Sequence, residues 1–190
     1  MIKLIIFDLD GVLVDARELH YEALNKALSS IDEKYVINRN EHLSTFDGTS
    51  TKKKLTMLTE LKGLPEDSHD LVWRLKQDKT LEIIDRFDID SRIKVILKKL
   101  KSDGYHIACA TNSIRETAKL QLIRKGFFEH IDFLYSNQDV NNTKPNSEIY
   151  LRCMIKVGVN PNETVIVEDS HIARKGAISS GAYLCAVEDS

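Results

Sequence analysis

Two aspartates two residues apart, Asp8 and Asp10, end the apolar run Leu4–Phe7 and are followed at once by Gly11. The run is short, β-prone and without polar alternation, the pattern of a strand buried on both faces of a parallel sheet. Side chains at i and i+2 of a strand share a face, so both carboxylates can address one small volume at the strand's carboxyl end. Open α/β sheets bind their ligands at that end. Two unit negative charges about 4 Å apart repel by about 4 kcal/mol at an effective dielectric of roughly 20, so a cation or a proton has to come between them. The pair suits metal-assisted acid and nucleophilic chemistry. Taken alone, DxDG is also what a plain turn after a strand looks like.

Further polar groups fall at corresponding places along the chain. Thr111, Asn112 and Ser113 follow the apolar run at residues 107–110, and Glu168, Asp169 and Ser170 follow another at residues 164–167. Between them Lys144 and Pro145 stand in the polar loop NNTKPNS, just ahead of a helical pattern. Strand ends and an adjoining loop would bring these groups together.

The ordered set DLDGVLVD, ATNS, KP and VEDS resembles the haloacid dehalogenase superfamily, in the helical-cap branch that includes β-phosphoglucomutase-like phosphatases and mutases. The resemblance runs from residue 3 to about residue 187. It implies Asp8 as nucleophile, Asp10 as general acid and base, Thr111 as a phosphate ligand and Lys144 as a charge neutraliser. It also implies a Mg²⁺ site drawn from Asp8, Asp10, Glu168 and Asp169. Substrate would meet Asn112 and Ser113 on the core side and His20, Gly48 and Lys76 on the cap side. Dehalogenation is disfavoured, since members with that chemistry lack the second aspartate, here Asp10, and phosphonoacetaldehyde hydrolysis is disfavoured for a similar reason.

The elements that must position these residues are visible in the hydrophobic pattern. Strand-like runs at residues 4–7, 107–110, 131–135, 164–167 and 183–187 alternate with helical patterns, which predicts an α/β fold, a doubly wound, mostly parallel Rossmann-like sheet. Ile93, Ile96, Leu97 and Leu100 recur at helical spacing before Gly104, and Ala118, Leu122 and Ile123 before Gly126, so both glycines read as helix stops. Residues 16–90 carry helical patterns and no convincing strand. They are assigned as an all-helical cap inserted into a catalytic core of residues 1–15 and 91–190, with hinges near Asp15 and Asp90.

Composition excludes several function classes. With 27 basic and 29 acidic side chains the net charge is −2, which offers no global attraction to nucleic acid. No apolar stretch approaches the ~18 residues of a membrane helix, and the sequence opens on a core strand instead of a signal peptide, so a cytoplasmic location is expected. Cys109, Cys153 and Cys185 lie in apolar segments and read as small core residues.

Cap residues carry ordinary readings beside functional ones. His20 reads as an exposed helical histidine as well as a coupler of cap closure to Asp10. Gly48 reads as a turn before a helix, Lys76 equally as surface charge, and Lys52, Lys53 and Lys54 as a solvated helix face or an attractor of a second phosphate. Asp85, Asp88 and Asp90 read as a solvated hinge, there being no glycine-centred loop for cation ligation. Two positions depart from the family pattern: Ala173 stands where relatives usually place glycine, and Thr51 where β-phosphoglucomutase has an arginine. The chain stops at Ser190, ahead of a helix and strand that relatives commonly add. The expected activity is hydrolysis of a small phosphorylated metabolite, sugar phosphates favoured. A sugar phosphomutase is the alternative, and a catalytically silent phosphate-metabolite binder a third reading that the intact acid, nucleophile and lysine argue against.

Overall fold

The computed structural model describes residues 1–46 and 50–188, so Gly48 lies outside the described residues. Two compact units divide the chain: Met1–Ala16 with Arg86–Ser190, and Arg17–Asp85. Residues 86–90, placed with the cap by sequence, belong to the first unit. There the Asp90 backbone N–H donates to the Lys125 carbonyl at 3.2 Å, and the Asp90 carboxylate caps the following helix by accepting from the N–H groups of Arg92 and Ile93.

The unit formed by Arg17–Asp85 is helical throughout its described residues. It contains α1 (Arg17–Ser29), the short α2 (Arg39–Glu41), a π-helical turn at His42–Phe46, α3 (Thr51–Lys62) and α4 (His69–Ile84). α1 and α4 pack on each other, and Leu24, Leu28, Ile37, Phe46, Leu58, Leu64 and Val72 form a sealed apolar centre. Each such side chain contributes about 1.5–3 kcal/mol on leaving water. Lys54 and Lys76 are buried in this unit, at 7% and 8% exposure, and His20 is half-buried, so the surface readings of all three fail. Charge is a poor guide to exposure for a side chain whose aliphatic stem can line a helix contact.

The described residues of the other unit form five strands: β1 (Leu4–Phe7), β2 (His106–Ala110), β3 (Phe133–Tyr135), β4 (Thr164–Glu168) and β5 (Tyr183–Ala186). They lie in the order β3-β2-β1-β4-β5, and every pairing is parallel. Around them run α5 (Ser91–Ser102), α6 (Arg115–Arg124), α7 (Glu148–Val157) and α8 (His171–Ser179). Gly104 and Gly126 adopt φ of +88° and +75° just beyond α5 and α6, the left-handed turn that ends a helix most readily at glycine.

Leu4, Ile6, Ala108, Ala110, Ile166, Ile149, Tyr150 and Cys153 make one core between the sheet and α7. Burial of β1 is uneven, with Leu4 and Ile6 sealed and Ile5 and Phe7 half-buried. Cys109 and Cys153 are buried as expected, but Cys185 is exposed because β5 is an edge strand. The chain moves from β1 through β2 to β3 on one side, then returns to place β4 on the other side of β1. That reversal opens a crevice at the carboxyl end of β1, flanked by the ends of β2 and β4.

Candidate active site

Asp8 continues the ladder past the last residue of β1, its N–H donating to the Val167 carbonyl at 2.9 Å. The chain then turns tightly: the Gly11 N–H donates to Val14 O at 2.7 Å and the Val14 N–H to Leu9 O at 2.9 Å. Gly11 has φ +93°, and a Cβ built on it would sit 2.0 Å from Asp169 Oδ2. Only glycine permits both the turn and the approach of that carboxylate.

Lys144 enters from the loop before α7. Its Nζ donates to Asp8 Oδ1 at 2.5 Å and to Glu168 Oε2 at 2.7 Å, while the Tyr150 hydroxyl donates to the same Glu168 oxygen at 2.8 Å. The ammonium also lies 5.2 Å from the centre of the Tyr150 ring. Two structural devices fix the loop. Asn112 grips the Lys144 backbone from both sides, accepting from its N–H at 3.0 Å and donating to its carbonyl at 3.2 Å. On α8, a Cβ at Gly176 would lie 2.4 Å from the Pro145 carbonyl oxygen, so the absence of a side chain there lets helix and loop touch.

The charges are strongly perturbed. Burial pushes the Asp8 carboxyl up to about 8; Lys144 opposes the shift, and the charges of Glu168 and Asp10 reinforce it. Burial works against the Lys144 ammonium, yet Asp8, Tyr150 and Glu168 outweigh it and hold its pKa well above the ordinary lysine value. Asp169 is raised, first by burial and then by Glu168.

Asp8, Glu168 and Asp169 each offer a carboxylate oxygen within 4.8 Å of the others. When all three carboxylates are ionised they exceed the one ammonium by two negative charges, the complement of one divalent cation. The Asp169 Oδ1 atom is buried and has no hydrogen-bond partner among the described residues. An all-oxygen donor set of this kind fits a hard cation.

Asp10 is not part of that carboxylate group. Its Oδ2 accepts from the Ser113 hydroxyl at 2.6 Å and its Oδ1 from the Gln121 amide at 3.3 Å. Thr111, at the end of β2 and 1% exposed, donates its backbone N–H to Tyr135 O and accepts the Ser113 N–H on its hydroxyl at 3.0 Å. The structure thus gathers Asp8, Asp10, Thr111, Asn112, Ser113, Lys144, Glu168 and Asp169 around one strand end. His20 on α1 and Lys76 on α4 lie in the helical unit. Asn112, expected beside substrate, serves as the clamp on the lysine loop, and Ser113 as a partner of Asp10. Sequence reasoning missed Tyr150, Gln121 and Gly176. Gln121 alone left a signal, a polar residue on the otherwise apolar stripe of Ala118 and Leu122.

The chain is 26% identical over 177 residues to the phosphorylated carbohydrates phosphatase of Thermotoga maritima, across 93% of this chain and 81% of that protein. It is 24% identical over 194 residues to the pyrophosphatase PpaX of Bacillus cereus, across 98% of this chain and 83% of the relative. Among solved structures, CbbY from Rhodobacter sphaeroides in complex with phosphate superposes with a TM-score of 0.86 at 21% identity, covering 100% of this chain and 87% of that one. The β-phosphoglucomutase of Clostridium difficile superposes at 0.78 with 24% identity, covering 97% and 83%. Both share this fold. With the parallel sheet, the strand-end carboxylates and a match extending over residues 5–187, the chain belongs to the haloacid dehalogenase-like hydrolase family.

Proposed function

We propose that this enzyme is a magnesium-dependent phosphatase of small phosphate monoesters, sugar phosphates foremost, working through an aspartyl-phosphate. The observation that carries the reading is the buried Lys144 bridge between Asp8 and Glu168, with Asp169 beside it and Asp10 held apart on its own donors. Binding alone would not require a nucleophile and a separately positioned acid in one crevice. The sugar-phosphate preference draws on the Thermotoga maritima relative, whose name gives phosphorylated carbohydrates as substrates.

Magnesium held by Asp8, Glu168 and Asp169 would screen the phosphate charge and polarise its oxygens. Lys144 holds Asp8 Oδ1 in place, leaving Oδ2 to attack phosphorus. As the ester P–O bond breaks, its electron pair passes to the leaving oxygen, which takes a proton from Asp10. Water then attacks the phosphorus of the aspartyl-phosphate and gives its proton to Asp10. The bond from phosphorus to the Asp8 oxygen breaks, and phosphate leaves. Thr111, at the end of β2, would offer its hydroxyl to a phosphate oxygen, while the Ser113 hydroxyl is given to Asp10.

Hydrolysis is favoured over a mutase reaction by Thr51, the first residue of α3. A mutase must grip the non-reacting phosphate of a sugar bisphosphate, for which an arginine fork is suited, and threonine supplies none. The test is inorganic phosphate release from a panel of phosphorylated metabolites, with and without Mg²⁺, for the wild type and Asp8→Asn. Turnover confined to the Mg²⁺-loaded wild type is expected. Efficient bisphosphate-dependent interconversion of sugar phosphates with negligible phosphate release, or wild-type turnover by Asp8→Asn, would overturn the assignment.

A further inference from the structure

The inner face of α6 carries Thr117, Ala118, Gln121 and Leu122, all buried. Ala118 and Leu122 serve apolar packing, but Gln121 is wholly inaccessible and polar. Burying an amide is unfavourable unless its atoms find partners. Gln121 is met only in part: Nε2 donates to Asp10 Oδ1 at 3.3 Å, while Oε1 has no partner among the described residues. Leucine or methionine would fill the same space without that penalty, so packing alone does not account for the residue. Its one polar contact leads to Asp10.

Asp10 stands on the turn after β1, where a short side chain can rotate about two torsions. The Ser113 hydroxyl on Oδ2 at 2.6 Å holds one oxygen, and a contact to one oxygen does not by itself set the plane of a carboxylate. The Gln121 amide on Oδ1 adds a donor to the other oxygen. The donors come from separate places, the loop after β2 and the middle of α6, so together they set the plane of the carboxylate. Proton transfer is sensitive to this orientation, because the donor oxygen must lie along the breaking bond to the leaving group.

We propose that Gln121 is a positioning residue for Asp10, acting with Ser113 to hold its carboxyl group in the orientation from which a proton passes to the ester oxygen. The inference rests on the phosphatase reading above. It predicts a dependence on leaving group. When the ester P–O bond breaks, a weakly basic leaving oxygen can carry the electron pair unaided, whereas a more basic one needs the Asp10 proton as the bond opens.

The test uses the full chain with Mg²⁺ on two esters of similar shape, p-nitrophenyl phosphate and phenyl phosphate. The variants are Gln121→Met, which keeps volume and removes the donor, and Gln121→Glu, which keeps shape and turns an acceptor toward Asp10. For Gln121→Met, kcat/KM, which reports the step that opens the ester bond, should fall about tenfold on phenyl phosphate, with less than about threefold loss on p-nitrophenyl phosphate. Gln121→Glu should show the same split with a larger loss, which keeps the test decisive if the methionine variant does not fold. Equal factors on the two esters, or wild-type rates on both, would show a packing role and overturn the inference while leaving the phosphatase reading intact. Failure of the wild type to release phosphate from either ester would overturn both.

Discussion

Replacing Gly11 by alanine should damage metal binding at least as much as folding. The new Cβ would stand 2.0 Å from Asp169 Oδ2 and 2.6 Å from its Cγ, so the carboxylate must withdraw by about 1.4 Å to reach the 3.4 Å at which ordinary contact begins. Mg²⁺ holds its ligands at about 2.0–2.1 Å in near-octahedral geometry, and a withdrawal of that size takes Asp169 out of the ligand set or forces the ion to shift toward Asp8 and Glu168. Disturbing the support of a metal ligand typically weakens binding about 10–100-fold, roughly 1.4–2.7 kcal/mol. The backbone adds its own penalty: alanine at φ +93° costs on the order of 1–2 kcal/mol, enough to lower Tm by roughly 2–8 °C in a chain of this size. The assay is phosphate release titrated with Mg²⁺, alongside a thermal melt in chelator. A half-saturating Mg²⁺ concentration raised at least about tenfold, with most of the turnover recovered at saturation, is expected. An unchanged half-saturation point would refute the assignment of Asp169 to the metal.

Two further substitutions test the scaffold. Gly176→Ala places a Cβ 2.4 Å from the Pro145 carbonyl oxygen, a backbone atom with little freedom to yield, so a loss of about 1–3 kcal/mol in urea unfolding and a fall in turnover are expected; wild-type stability would show that the loop adjusts. Asp132 accepts from the Ile107 N–H at 2.8 Å and from Lys101 at 2.6 Å. Although burial pushes its carboxyl up, the contacts to Lys101 and Ile107 prevail and hold it below the ordinary aspartate value. A depressed folded-state pKa stabilises above the unfolded value of about 3.9, and that stabilisation is lost as pH falls through the folded value. Asp132→Asn should therefore be less stable than wild type at neutral pH, with the gap narrowing below about pH 4. A gap independent of pH in urea unfolding would contradict this.

The catalytic core was legible where short apolar runs stop at polar residues, because a parallel strand buried in a sheet leaves that mark and its carboxyl end is where ligands bind. Asp8, Thr111 and Glu168 stand at the ends of such runs and Lys144 in the polar loop between them, and the resemblance of the ordered motifs supplied their expected roles. Tyr150 was not, since a tyrosine among Ile149, Cys153 and Met154 looks like packing and its hydroxyl shows its use only once β4 brings Glu168 beside it. Asn112 was expected beside substrate from its motif, and its grip on Lys144 went unseen because it spans 32 residues of chain and no local pattern encodes it. Lys54 and Lys76 were read from their charge, which does not reveal how little of either side chain is left exposed. Cys185 was misread because an apolar segment does not reveal whether its strand lies at an edge of the sheet.

The central place of β1 governs how the molecule can be made. Leu4 leaves the ribosome well before either of its strand partners, His106 on one side and Thr164 on the other. That strand must wait as an unpaired apolar segment until its neighbours are synthesised, and the entropy of closing two long loops is paid before either ladder returns it. The helices of residues 17–85 depend on nearer neighbours and can form in the meantime. The strand carrying Asp8 is thus secured only after both of its neighbours have followed it, and a nascent chain halted before residue 164 has neither the second neighbour of β1 nor Glu168 to share Lys144 with Asp8.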